Sequence, residues 1–254
     1  MKVEVLVASM NQQDFSLVKR MNLNSDVVIA NQSDKYDYNE FINNEFTCKM
    51  ITTSQRGVGK NRNTALLYAT GDILIFADDD VEYMDGYAEI ITEAFKKNKK
   101  ADVIMFNLTK ESGRKMIKKT HKVGFFNFMR FGAVRIAVRK DSLDKANIWF
   151  SSLYGGGAKY SCGEDSLFIR ECLKKRLKIY AIPNILAKLL DYRPSTWDTG
   201  NMIKQAYDKG IWLKNAFPKM CILLKYVFAY KMKTGDLSFV ATLKQIQKGI
   251  KDFI

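Results

Sequence analysis

Two acidic groups in this chain have the residue types and surroundings of working chemistry. Asp78-Asp79-Asp80 follows the apolar run Ile73–Phe76 with only Ala77 between them. Three adjacent carboxylates at the end of a buried strand repel one another and lose hydration, which is unfavourable unless a cation or hydrogen-bond donors neutralise them. Mg2+ or Mn2+ would do so with hard oxygen ligands while keeping positions open for substrate phosphates. A solvated acidic turn would carry the same triplet. The second group, Gly163-Glu164-Asp165, opens a helical pattern running to about Arg176. Carboxylates in a first turn complement the helix dipole, which is a sufficient structural reason for them. The functional reading makes one of them a general base that takes a proton from a hydroxyl nucleophile. Gly155-Gly156-Gly157 just upstream reads as a flexible loop, useful where backbone approaches a ligand or a loop closes.

A third segment, Arg56-Gly57-Val58-Gly59-Lys60-Asn61-Arg62-Asn63, is neither a P-loop nor a GxGxxG turn. A glycine loop entering a helix with Lys60 and Arg62 at its positive end suits a diphosphate or base contact, and a basic helix cap equally. The one histidine, His121, sits in a lysine-rich stretch and reads as solvated surface. Histidine-based nucleophilic hydrolysis is therefore disfavoured. Cys48, Cys162, Cys172 and Cys221 are widely spaced and form no CxxC pair, which excludes a zinc finger and argues against a disulfide scaffold.

These residues need a frame, and the first 110 residues supply a pattern for one. Apolar strand signals at Val3–Val7, Asp26–Ala30, Lys49–Thr53, Ile73–Phe76 and Asp102–Phe106 alternate with helical signals at Asp14–Met21, Asn61–Ala69 and Tyr87–Lys97. That alternation predicts an α/β fold with a mostly parallel sheet flanked by helices, which binds ligands at the carboxyl ends of its strands. The acidic triplet stands at such an end. Beyond it, Lys110–Lys122 is a basic connection, Phe131–Val138 has strand character, and Ser195–Ile254 is helical in pattern and rich in lysine.

Length and charge bound the rest. The 254 residues fit one large domain with an appendage, and 47% hydrophobic residues exclude a disordered chain. Forty-one basic against 27 acidic side chains give +14, so the partner is expected to be acidic: a nucleotide phosphate, nucleic acid or an anionic membrane. No secretory leader or membrane-spanning run is read from the sequence. Phe239, Leu243, Ile246, Ile250 and Phe253 recur at helical spacing opposite Lys244, Lys248 and Lys251. With Met220–Tyr230 they suggest a basic interfacial helix pair, but packing on the chain's own core or on a second subunit, as in a homo-oligomer, fits the stripe as well.

The order of these motifs resembles glycosyltransferase family 2, the inverting nucleotide-sugar transferases of the GT-A fold. The likeness covers about residues 1–200. It is carried by the strand ends Val7–Asn11 and Asn31–Asp34, by Arg62–Ala65 through Gly71–Asp80, and by Gly155–Ala158 through Gly163–Phe168. The resemblance implies that Ser9 and Asn11 contact the nucleoside. Asn31 would stand for an aspartate that accepts from uracil N3–H, and Arg62 would lie near the base or diphosphate. Asp78–Asp80 match the DxD region, with Asp80 and, more weakly, Asp78 on Mn2+ or Mg2+ and Asp79 on ribose or metal. Asp165 would be the catalytic base, with Glu164 orienting it or the acceptor. Arg193, Ser195, Thr196 and Trp197 stand where the family often has a histidine. No QxxRW-type signature is present, so transfer of a single sugar is implied.

The expected reaction is hexosyl or N-acetylhexosaminyl transfer from a nucleotide sugar, a UDP-sugar by the resemblance, to a glycan or lipid-linked acceptor. The expected domains are 1–195, catalytic, with a nucleotide half 1–110 and an acceptor half 111–195, and a basic helical extension 196–254. The expected location is the cytoplasm, with contact to the inner face of the plasma membrane through the extension. A basic nucleic-acid-binding or docking protein without catalysis and a sugar nucleotidylyltransferase are the rival readings. The first lacks RNP aromatics and a helix-turn-helix signature, and the second lacks its glycine-rich loop over Lys2–Asp14.

Overall fold

The structure is a computed structural model that describes residues 1–43, 45–109, 115–190, 200–234 and 236–253. It divides into two compact units, one of Met1–Ser152 with Glu164–Pro194 and one of Leu153–Gly163 with Ser195–Ile254. Arg193, Ser195, Thr196 and Trp197 lie outside the described residues.

The first unit is a mixed sheet with a parallel core. β1 (Val3–Met10) runs parallel to β2 (Asp26–Gln32) on one side and to β5 (Ile73–Asp78) on the other. β4 (Phe46–Thr53) continues the sheet parallel beyond β2, and β3 (Asp37–Asn43) closes that edge antiparallel. On the far side β9 (Ile136–Arg139) inserts antiparallel between β5 and β7 (Val103–Thr109). β10 (Ile179–Leu189) pairs parallel with β7, while β6 (Val81–Tyr83) and β8 (His121–Val123) add antiparallel to β10.

β1 and β2 read as near-continuous apolar runs because both of their faces are covered. Around them lie α1 (Ser16–Arg20), α2 (Val58–Tyr68), α3 (Tyr87–Lys97), α4 (Lys140–Ala146) and α5 (Glu164–Lys174). In α3 the buried residues Tyr87, Ile91, Ala94 and Phe95 follow the spacing of a single helical face. Gly71 sits where a Cβ would stand 2.7 Å from Glu4 Cβ, and its N–H donates to the buried Glu4 carboxylate.

β6, β8, β10 and α4 were not read from the sequence, and further elements depart from that reading. β3 was not foreseen, being a polar edge strand without an apolar run. α2 starts at Val58 rather than Asn61, because Gly57, at φ 115°, turns the chain into the helix and its carbonyl is held by Gln32 Nε2. The strand expected over Phe131–Val138 begins only at Ile136, after a 3-10 turn at Ala133–Arg135.

The second unit contains α6 (Met202–Ala216), α7 (Cys221–Met232) and α8 (Phe239–Asp252). α6 and α8 meet backbone to backbone: a Cβ on Gly210 would lie 2.1 Å from Ile246 O, and one on Gly249 2.1 Å from Tyr207 O. Within the apolar stripe of α8, Ile246 is fully buried and Phe239, Leu243, Ile250 and Phe253 are half-buried. Gly155–Gly157 is a closed turn rather than a flexible loop. Gly155 and Gly157 take φ 102° and 75°, and Gly155 N–H and Tyr160 N–H donate across it to Tyr160 O and Leu153 O. No helix among the described residues is long and apolar enough to cross a membrane.

Candidate active site

The chain runs from β1 outward to β2 and β4, then returns to β5 on the other side of β1. That reversal opens a crevice at the carboxyl ends of β1 and β5, the usual ligand position in open α/β sheets. Register aligns the ends: Ala8 pairs with Asp78 and Ser9 with Asn31.

The first turns of α2 tie this edge together. Asn61 Nδ2 donates to Ser9 O at the end of β1. Arg62, 4% exposed, donates from one guanidinium nitrogen to Asp78 Oδ1 and from the other to Glu164 Oε1, each at 2.8 Å. Asn63 exchanges two hydrogen bonds of 2.9 Å with the backbone of Phe150. The Phe150 ring stacks on Phe168 of α5 at 4.1 Å, Phe76 of β5 meets both rings edge-on, and the Arg62 guanidinium lies over Phe150. This packing fixes the start of α5 against the end of β5. Asp78 and Glu164, distant in sequence, thereby share one arginine.

Electrostatics follow from that burial. Desolvation by itself would weaken the Arg62 proton, but the Asp78 and Glu164 charges outweigh it and hold the guanidinium above its ordinary range. Glu164 is pushed up, first by burial and then by the Asp165 charge, with Arg62 opposing both. Asp78, Asp79, Asp80, Glu164 and Asp165 place five carboxylates on the two segments that one guanidinium links.

The structure separates the expected site residues into two sets. Asp80 and Asp165 are partly open to solvent, and Asp165 Oδ1 accepts from Ser166 N–H at 2.6 Å. Asn11 is exposed, in the left-handed region at φ 55°, just past β1. The other expected ligand contacts are turned toward the protein in this structure. Asn31 is fully buried, and its side chain exchanges hydrogen bonds with the Gln12 backbone and donates to Thr52 Oγ1, so its oxygen does not face a base. Ser9 is buried with its hydroxyl turned to Ala30 O. Arg62 is enclosed by its two carboxylates rather than offered to a diphosphate. Asp79 is 1% exposed and does not present its carboxylate to a ribose. Asp78 commits one oxygen to Arg62, which weakens it as a metal ligand.

Among the described residues no three His, Cys, Asp or Glu side chains form a ready cage for a metal. The donors present fit the habit of Mg2+ and Mn2+, which accept one or two carboxylates and complete their shell with substrate phosphates and water. Asp78 and Asp80 are both partly open to solvent, and Asp78 already holds Arg62. Asn61, Asn63 and Gln12, which frame the edge, were not singled out individually, because their partners lie far along the chain and leave no local pattern.

Residues 4–152 match the model of Glycosyl transferase family 2. The match covers more than half of the chain, and the chain belongs to that family. It is a glycosyltransferase with a GT-A fold. Among solved structures, S. aureus TarS 1-349 in complex with UDP-GlcNAc is similar at a TM-score of 0.64 and 15% identity, over 98% of this chain and 82% of that one. The same fragment in complex with UDP gives 0.59 and 16%, over 93% and 77%. S. aureus TarS itself gives 0.62 and 14%, over 99% of this chain and 55% of that one. At these identities the likeness is one of fold. A search of curated proteins returns no match. Family membership sets aside the nucleotidylyltransferase and the non-catalytic binding protein.

Proposed function

We propose that this glycosyltransferase moves a single sugar from a UDP-sugar to a hydroxyl of a glycan or lipid-linked acceptor, with inversion and with Asp165 as the general base. The observation that carries this reading is the Arg62 bridge, which brings the acidic end of β5 and the acidic start of α5 to one sheet edge. A base has to reach its proton; Glu164 is tied to Arg62 at 2.8 Å, and its neighbour Asp165 is partly open to solvent. Glu164 is held by Arg62 and sets the position of the helix start that carries Asp165. Attack by the acceptor oxygen from the side opposite the leaving diphosphate inverts the anomeric centre, so an α-linked donor gives a β-glycoside.

The partly open carboxylates Asp80 and Asp165 would repel a diphosphate, which favours a donor bound together with a divalent cation. Asp80 is the proposed ligand, and Mn2+ or Mg2+ bound there would supply charge stabilisation for the departing diphosphate. Exposed Arg56 and Lys60 flank the start of α2 and add positive potential beside the strand ends. The uridine nucleotides in the complexes of the TarS fragment support UDP as the nucleotide and an N-acetylhexosamine as the first sugar to try. Calorimetric titration of UDP with and without Mn2+, on the wild type and on Asp80→Ala, tests the reading. Metal-dependent binding lost in the variant is the expected result, and a variant with unchanged metal dependence would overturn the Asp80 assignment.

A further inference from the structure

The second unit leaves one helix face uncovered. α7 buries Cys221 and Ala229 and sets Phe228 against Trp212. On its other side Ile222, Leu223, Tyr226, Val227 and Tyr230 are exposed, Leu223 at 71%. At 100° per residue these five fall within about 140° of arc, so they form one continuous apolar strip.

The rim of that strip is cationic. Lys219, Lys231 and Lys233 are exposed, and the Lys233 ammonium lies 4.4 Å from the Tyr230 ring centre. Six lysines and no carboxylate occur between Asp208 and Asp236. An isologous contact with a second copy would set this rim against itself. An anionic bilayer surface instead meets both features, since the ring of ammonium groups matches lipid phosphates and the strip matches the acyl boundary. A 12-residue helix, about 18 Å long, suits lying in the interface plane.

We propose that α7 docks this protein on an anionic lipid surface through Ile222, Leu223, Tyr226, Val227 and Tyr230, with Lys219, Lys231 and Lys233 at the headgroups. The stripe of α8 is left out of the proposal, because none of its five apolar residues is exposed. The docking does not depend on the donor or the acceptor. Flotation of the full chain with vesicles of phosphatidylcholine alone, and of phosphatidylcholine mixed with phosphatidylglycerol, provides the test. The wild type is expected to float with the mixed vesicles and to be released by salt. The double variant Leu223→Gln/Val227→Gln should bind them at least about tenfold more weakly, because two apolar side chains no longer gain from burial. Lys219→Gln/Lys233→Gln should weaken binding to the mixed vesicles in the same way. Unchanged helicity by circular dichroism is the control for folding, and exposed positions make it the expected result. Equal flotation of either variant, equal binding to neutral vesicles, or no wild-type binding would overturn the proposal. So would a wild-type dimer in sedimentation velocity that the apolar variant abolishes, which would assign the strip to a second copy.

Discussion

Arg62 and Glu164 are 102 positions apart in the chain, yet their side chains meet at 2.8 Å with the guanidinium almost wholly enclosed. The same guanidinium holds Asp78, so one side chain fixes the distance between the acidic turn after β5 and the acidic start of α5. Buried charges of this kind contribute less to stability than they impose in geometry, because their desolvation offsets most of the attraction. Removing one partner is a different matter, since it leaves the others charged and unmatched.

Arg62→Ala should accordingly cost about 3–5 kcal/mol of stability and abolish transfer. Arg62→Lys keeps the charge but lacks the planar fork that reaches two carboxylates at once, so it should recover part of the stability and little activity. Urea unfolding beside a transfer assay checks both. A fully active Arg62→Lys would show that the fork does not set the site.

Asp165→Asn should bind UDP as the wild type does and lower kcat by about 100-fold or more. Glu164→Gln retains an oxygen that accepts from Arg62 and should disturb Asp165 less than Glu164→Ala. Substantial turnover by Asp165→Asn would remove it from the role of base.

Glu164 also gives stability a sign with pH. Its folded value lies above the usual 4.5, so the folded chain holds the proton more tightly than the unfolded chain does. This contribution is fully present below 4.5 and is lost as pH rises from there through the folded value. Urea midpoints for the wild type, measured beside Glu164→Gln, which stays neutral at every pH, should fall relative to the variant as the pH rises across that window. Parallel curves would show that Glu164 titrates normally.

Asn31→Asp separates a structural amide from a base contact. The Asn31 amide donates to Gln12 O and Thr52 Oγ1, and a carboxylate can donate to neither. The substitution should destabilise the protein by about 1–3 kcal/mol and weaken UDP binding. Tighter UDP binding would instead place position 31 against the base.

Gly249→Ala should lower stability by about 1–3 kcal/mol, since the added methyl would stand 2.1 Å from Tyr207 O and push α8 off α6. A thermal melt decides this. No change would mean that the two helices separate without cost.

The parallel core was legible in the sequence because strands covered on both faces cannot hide their apolar runs: β1, β2 and β5 were each anticipated, and α3 to its end residues. β3 was not, since an edge strand reading Asp-Tyr-Asn-Glu-Phe-Ile-Asn has no period that separates it from a loop. The site was legible by residue type and by strand end, and much less by orientation. Ser9, Asn31 and Arg62 have the polarity of ligand contacts and the right address, but each is turned inward. Only their partners reveal this, and Gln12, Ala30 and Glu164 carry no local mark of being partners. The tail shows the same limit: a helical stripe announces that a face will be covered, not what will cover it.

The first unit is interrupted, because the chain leaves it after Ser152, runs from Leu153 to Gly163 in the second unit, and returns at Glu164. The excursion is fastened there by Ser161 N–H to Asp208 and by Asn215 to the Tyr154 hydroxyl. A stop codon near position 195 is therefore expected not to yield a smaller working enzyme. It would leave eleven residues without the helices that hold them, immediately before the two carboxylates on which the chemistry is proposed to depend.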